Sequence, residues 1–184
     1  MTTKVLFIQG GGDGAHAYDA ALAKSLEAEL GSGYEVTYPT MPNESDPNYQ
    51  AWSVCIAETL KELGNDVVVV GHSVGASVLI KCLVEAPRAH SVAAIFLVAA
   101  PFLHEKDGWP WREAELPTDA ASRLPSAIPV FLYHGRDDND VPFAHLAQYA
   151  KTFPRAVCRA LNGCNHQLND DLTDVANDIR SVRG

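Results

Sequence analysis

The segment Gly71-His72-Ser73-Val74-Gly75 holds a serine in the setting that can turn it into a nucleophile. The pattern G-x-S-x-G belongs to a sharp strand-to-helix turn, where side chains two positions to either side of the serine would collide with the turn. Its surroundings fit. The apolar run Asp66–Val70 (DVVVV) leads into it, and a helical pattern from Ser73 to Glu85, closed by Pro87, leads away. A serine hydroxyl attacks poorly at neutral pH, so the chain must also supply a base to take its proton and an acid to hold that base.

Both are to be sought after later strands, in the order serine, acid, histidine. The run His134-Gly135-Arg136-Asp137-Asp138-Asn139-Asp140-Val141-Pro142 offers three aspartates. Asp138 fits best, four residues after His134 and four before Pro142, as in H-G-x-x-D-x-x-V-P. Asp137 is its nearest rival, and Asp140 is expected to cap the following helix. His166, in Gly163-Cys164-Asn165-His166, is the only histidine beyond the last strand pattern and is the expected general base. His72 is expected beside the site, among the residues that meet substrate. His16, His90, His104, His134 and His145 show no ligand spacing and read as structural or exposed.

An acyl-transfer transition state also needs backbone N–H groups aimed at the developing oxyanion. Val74, the residue after the serine, should supply one. The glycine-rich run Gly10-Gly11-Gly12-Asp13-Gly14 should supply the other, with Gly11 favoured and Gly10 or Gly12 as alternatives. The same glycines only loosely mimic a dinucleotide loop, and the second strand ends in Tyr38-Pro39 with no acidic ribose ligand. Met41, Trp52, Phe102, Leu103, Trp109 and Trp111 could line an acyl pocket, with Trp52, Trp109 and Trp111 the chief substrate-binding candidates. No metal or other cofactor is implied, since neither H-E-x-x-H nor a ligand-spaced cluster is present.

Elements of two kinds must position these groups. Short apolar runs at Lys4–Gln9, Tyr34–Tyr38, Asp66–Val70, Val92–Ala99, Val130–Tyr133 and Ala156–Leu161 read as strands. Between them, Ala17–Leu30, Asn48–Leu63, Ser73–Glu85, Val141–Phe153 and Leu168–Val182 carry helical spacing. The alternation predicts an α/β fold with a mostly parallel sheet covered by helices on both faces. Pro101–Pro129, with Trp109-Pro110-Trp111, breaks the rhythm and reads as a long functional loop.

The bulk properties narrow the field. With 184 residues, 47% of them hydrophobic, residues 1–184 are expected to form one domain. A net charge of −9 with scattered basic residues argues against nucleic acid. No apolar run is long enough to span a membrane, and Val5–Ile8 is too short for a signal core, so a cytoplasmic location is expected. Cys55, Cys82, Cys158 and Cys164 show neither CxxC nor zinc spacing. Cys82 reads as a buried thiol, and Cys164 as inert packing or a redox-sensitive neighbour of His166.

The elbow at 71–75, the Asp138–Pro142 segment and His166 resemble the α/β-hydrolase superfamily. More narrowly, the chain is similar to the small serine hydrolases of the retinoblastoma-binding protein group. That likeness runs through Gly10–Gly14, Trp52, Gly71-His72-Ser73, Trp109-Pro110-Trp111, Asp137-Asp138 and Cys164–His166. The resemblance implies a six-stranded sheet in the order 2-1-3-4-5-6 without a large lid, and a Ser73–Asp138–His166 triad. Two positions depart from it: Asn165 stands where the group has glycine, and Gln9 where many hydrolases have histidine.

The expectation is therefore a carboxylesterase-like serine hydrolase cleaving a small ester, thioester or amide at an open, shallow site. A catalytically silent binding module docking a partner on the Trp109 region, or an acyltransferase using the same residues, are the alternative readings.

Overall fold

Along Val5–Ile8 of β1 (Thr3–Ile8) and Val67–Val70 of β3 (Val67–His72) every side chain is apolar, so neither face of these stretches can meet water. The period of two sorts them. Leu6, Ile8, Val67 and Val69 point into one core, while Val5, Phe7, Val68 and Val70 point into the other. The first core is covered by α2 (Tyr49–Leu63), α3 (Ser73–Glu85) and α5 (Ala144–Thr152). The second is covered by α1 (Ala15–Leu30) and α6 (Thr173–Arg183).

The computed structural model describes residues 2–87, 91–104 and 109–183; His90 lies outside them. With β2 (Tyr34–Thr37), β4 (Val92–Val98), β5 (Val130–Gly135) and β6 (Val157–Leu161), the six strands form one parallel sheet in the order β2-β1-β3-β4-β5-β6. The chain leaves β1 toward β2, then returns on the other side of β1 to lay down β3. That reversal separates the loops after β1 and β3 and opens a crevice at the carboxyl ends of the strands, where open α/β sheets bind ligands.

Three departures from the predicted elements bear on the site. The helix expected from Val141 starts at Ala144, because Asp138 Oδ1 accepts the amides of Asp140 (2.9 Å) and Val141 (2.8 Å) and turns the chain first. Asp140 does not cap that helix: Phe143 is at its N-cap, with no side-chain cap bond. The helix expected from Leu168 starts at Thr173, since Leu168, Asn169 and Asp170 have φ of 47°, 58° and 58°, a left-handed turn. The Pro101–Pro129 stretch contains a 3-10 turn at Arg112–Ala114, the short α4 (Ala120–Arg123) and a bridge between His104 and Trp109. Among the described residues no helix is long and apolar enough to cross a membrane.

Candidate active site

Ser73 stands at the end of β3, on the first residue of α3, with φ of 51°. A non-glycine residue in this left-handed region is strained and persists only where its surroundings force it. The packing around the turn supplies the force. A Cβ on Gly75 would lie 1.9 Å from the Gln9 carbonyl oxygen, and one on Gly71 would lie 2.6 Å from the Ala76 Cα. Both contacts are with backbone, so α3 can approach the end of β1, and fold back on the end of β3, this closely only through glycine.

His166 brings the later strands to this serine. Its Nε2 is 3.0 Å from Ser73 Oγ, and its Nδ1 is 2.8 Å from Asp138 Oδ2. Asp138 is fully buried as a side chain and is also approached by His134 Nε2, at 3.1 Å. Burial alone would push the Asp138 carboxyl pKa up. The hydrogen bonds from His134, His166 and the Val141 amide outweigh that and hold it well below the usual carboxylate range. Asp137 is exposed and makes no such contact; its amide donates to the Cys164 carbonyl at 3.1 Å. Asp138, Asp140 and His166 place ligand-type atoms within 4.8 Å of one another. Those of Asp138 and His166 are already engaged with each other, with Ser73 and with the amides of residues 140 and 141.

Of the three glycine amides after β1, Gly10 N–H donates to Asp19 Oδ2 at 2.7 Å and Gly12 N–H to the Glu44 carbonyl at 2.7 Å. Gly11 lies between Pro47 and the elbow: a Cβ there would be 2.8 Å from Pro47 Cγ and 3.4 Å from Val74 Cβ. Val74 is in the first turn of α3, where N–H groups have no partner within the helix.

A cavity of about 350 Å³ opens over Ser73 and His166, walled by Gly10–Gly12, Val74, Trp109, Tyr18, Asp13 and Asp140. Trp109 is the expected aromatic that reaches it. Trp52 does not: it is fully buried, its indole N–H donates to the Pro42 carbonyl at 2.8 Å, and it fills the core beneath α3. Met41 is buried in that core, and Trp111 packs on its edge. Phe102 and Leu103 line a separate cavity. These side chains were expected at the site because they are large and apolar, and that same property draws them into the core. His72 lies against the cavity but is 1% exposed, with Nδ1 2.8 Å from Asp19 Oδ2 and Nε2 3.1 Å from the His166 carbonyl. Its polar atoms are thus directed at protein.

The two departures from the resembled pattern have partners. Asn165 Oδ1 accepts the Asn169 amide at 2.9 Å while Asn169 Oδ1 faces the Asn165 amide at 3.3 Å, a reciprocal pair that closes the His166 loop. Gln9 is buried, donates to Glu44 Oε2 at 2.5 Å and accepts the Met41 amide at 3.2 Å, fixing the start of the glycine loop. Cys164 is a poor thiolate, since partial burial and the acids Asp174, Asp171 and Asp137 push its pKa up. Burial takes the Cys82 thiol to about 11.

Sequence reasoning passed over Asp19. Burial opposes ionisation of its carboxyl, but hydrogen bonds from His72, Gly10 and Gln167 outweigh it and hold the pKa below the ordinary value. A signal was present, because Asp19 falls on the stripe of α1 otherwise occupied by Leu22, Ala23, Leu26 and Leu30.

Residues 5–179 match the model of the alpha/beta hydrolase family, and the chain belongs to that family. Similar folds are seen in solved structures at low identity. The 2-hydroxy-6-oxo-6-phenylhexa-2,4-dienoate hydrolase of Rhodococcus sp. strain RHA1 superposes with a TM-score of 0.75 at 18% identity, covering 99% of this chain and 90% of that one. Est1E from Butyrivibrio proteoclasticus gives 0.73 at 15%, covering 99% and 87%. A serine hydrolase of the polyaromatic-hydrocarbon-degrading bacterium Cycloclasticus zankles gives 0.76 at 14%, covering 100% and 89%. No curated protein matches the sequence of the chain.

Proposed function

We propose that this chain is a serine hydrolase in which Ser73, His166 and Asp138 act as nucleophile, general base and orienting acid. The observation that carries the reading is the position of one imidazole ring, 3.0 Å from the Ser73 hydroxyl and 2.8 Å from a buried, ionised Asp138. The serine proton passes to His166 Nε2 as Oγ bonds to an acyl carbon. The imidazolium that forms is stabilised by Asp138, and then gives its proton to the leaving oxygen, sulfur or nitrogen. Water, deprotonated by the same nitrogen, attacks the acyl-enzyme, and Ser73 Oγ leaves with the proton. With the Gly10 and Gly12 amides committed to Asp19 and Glu44, the Gly11 and Val74 amides are the pair assigned to the oxyanion.

The cavity supports a substrate class. At about 350 Å³ it suits a short acyl group. Its wall carries the carboxylates of Asp13 and Asp140 and, among the described residues, no cationic side chain, which disfavours an anionic substrate such as the dienoate named for the Rhodococcus enzyme. The likeness to the retinoblastoma-binding protein group belongs to the same proposal, supported by the Gly10–Gly14 loop, the Trp109-Pro110-Trp111 run and Cys164–His166. So does the assignment of a small-molecule ester as partner in preference to nucleic acid, supported by the charge of −9.

A fluorophosphonate probe tests the reading. The wild-type chain should be labelled and Ser73→Ala should not, and a p-nitrophenyl ester series should give kcat/KM values that peak at short acyl chains. Folded wild-type protein that takes no label would refute the mechanism and favour a binding role for the fold. Rates that climbed steadily to long-chain esters would refute the short-acyl assignment alone.

A further inference from the structure

Packing alone gives no reason to bury a carboxylate at position 19. An apolar side chain on that stripe of α1 would avoid the cost of desolvating a charge, and buried ion pairs are often replaced by apolar groups without loss of stability. Asp19 is 2% exposed, and both of its oxygens are used. Oδ2 accepts the Gly10 amide at 2.7 Å and His72 Nδ1 at 2.8 Å. Oδ1 accepts Gln167 Nε2 at 3.0 Å.

These donors lie on three different segments. Gly10 precedes the amide assigned to the oxyanion, His72 precedes the nucleophile, and Gln167 follows the base. His72 closes the arrangement, with Nε2 3.1 Å from the His166 carbonyl oxygen. The carboxylate is thus a point at which the loops after β1 and β6 meet the end of β3.

We propose that Asp19 is a positioning residue that holds the oxyanion-side loop, the elbow and the His166 loop in one geometry. The proposal rests on the serine hydrolase reading and adds to it a residue that touches no reacting atom. Misplacement of catalytic groups by about an ångström can cost on the order of 100-fold in rate without weakening substrate binding. The effect therefore belongs in kcat.

The structure also suggests a rescue. Gln167 Oε1 is buried and has no partner among the described residues. In Asp19→Asn, the remaining oxygen can keep Gly10 and His72 while the new amide donates to Gln167 after a flip of that side chain. The hydrogen bonds survive and the charge does not.

The test measures kcat and KM for an ester substrate, with kcat expressed per serine titrated to end point by fluorophosphonate, so that unfolded protein is not counted. Asp19→Ala should lose roughly 10- to 100-fold in kcat with KM within about threefold. Asp19→Asn should recover most of that loss, and Gln167→Leu, which cuts one arm only, should fall between wild type and Asp19→Ala. A labelled wild type with Asp19→Ala unchanged, or Asp19→Asn no better than Asp19→Ala, overturns the proposal and leaves the hydrolase reading standing. If Asp19→Ala is recovered unfolded, an unchanged kcat in Gln167→Leu overturns it. A wild type that takes no label overturns the hydrolase reading itself, and the positioning role with it.

Discussion

Among the described residues, two aspartate–histidine pairs meet through the Nδ1 of the ring with nearly the same geometry. Asp138 and His166 meet at 2.8 Å where β5 and β6 end, and Asp19 and His72 meet at 2.8 Å between α1 and the end of β3. Each aspartate is almost wholly out of water, and each is held ionised by the donors around it. They differ at the far side of the imidazole. His166 Nε2 faces the Ser73 hydroxyl, which has a proton to give up. His72 Nε2 faces a backbone carbonyl, which has none. Exposure follows the same division, at 13% for the His166 side chain and 1% for His72. A buried aspartate beside a histidine is therefore no mark of catalysis by itself; the partner of the second nitrogen decides what the ring can do.

The largest expected effect breaks this comparison open. His166→Ala should lower kcat by about 10⁴-fold or more, since the proposed base is removed and only the proposed oxyanion donors and binding remain. His72→Ala should lower it by only about 10- to 100-fold, as expected of a misplaced group. Steady-state kinetics on the two variants, each normalised to titrated serine, checks the ranking. Equal losses would mean that His72 takes part in the chemistry, and the division drawn from the second nitrogen would be wrong.

The two pairs were not equally legible in the sequence. Ser73 and Asp138 could be singled out because each follows a strand and sits in a local pattern, G-x-S-x-G or H-G-x-x-D-x-x-V-P, whose spelling is set by nearby backbone, and His166 because it is the only histidine after the last strand pattern. The strand order followed from resemblance and the alternation of elements from the residues, because apolar runs and helical spacing are local as well. Asp19 depends on Gly10, His72 and Gln167, which are 9, 53 and 148 residues away in the chain. No local pattern records such a meeting, and only the break in the apolar stripe of α1 hinted at it. Trp52 failed in the opposite sense. Its size and polarity are compatible with pocket or core, and the choice is made by Pro42 and α3, far from its own neighbours in sequence.

A smaller effect sharpens the comparison from the Asp138 side. Gly135 ends β5, and a Cβ there would lie 2.1 Å from the Cys164 carbonyl oxygen and 2.7 Å from that of Asn165. Both atoms are backbone of the loop that carries His166, so Gly135→Ala must push that loop away. We expect a folded protein destabilised by about 1–3 kcal/mol with kcat down by roughly 100-fold. Thermal denaturation and ester turnover on one preparation would show it. A variant with normal turnover would mean that His166 keeps its place by Asp138 and Asn169 alone, without the close seat on β5.

The smallest expected effect separates charge from hydrogen bonding at Asp19. Its folded-state pKa is lowered, because donation from His72, Gly10 and Gln167 overcomes burial, whereas an unfolded aspartate titrates near about 3.9. The ionised group therefore favours the folded state. That contribution is fully present above the unfolded pKa and is lost as pH falls through it toward the lower folded value. Asp19→Asn keeps the bonds but has no proton to bind, so its stability lacks this term at every pH. Urea denaturation of both proteins from pH 7 down to about 3 should show wild type losing ground relative to Asp19→Asn only below about pH 4 to 5, as the unfolded state begins to take up a proton that the folded state resists. Parallel curves across that range would mean that the carboxylate has the same proton affinity folded and unfolded. The three donors around it would then serve only as shape, and Asp19 would differ from Asp138 in more than the partner of its histidine.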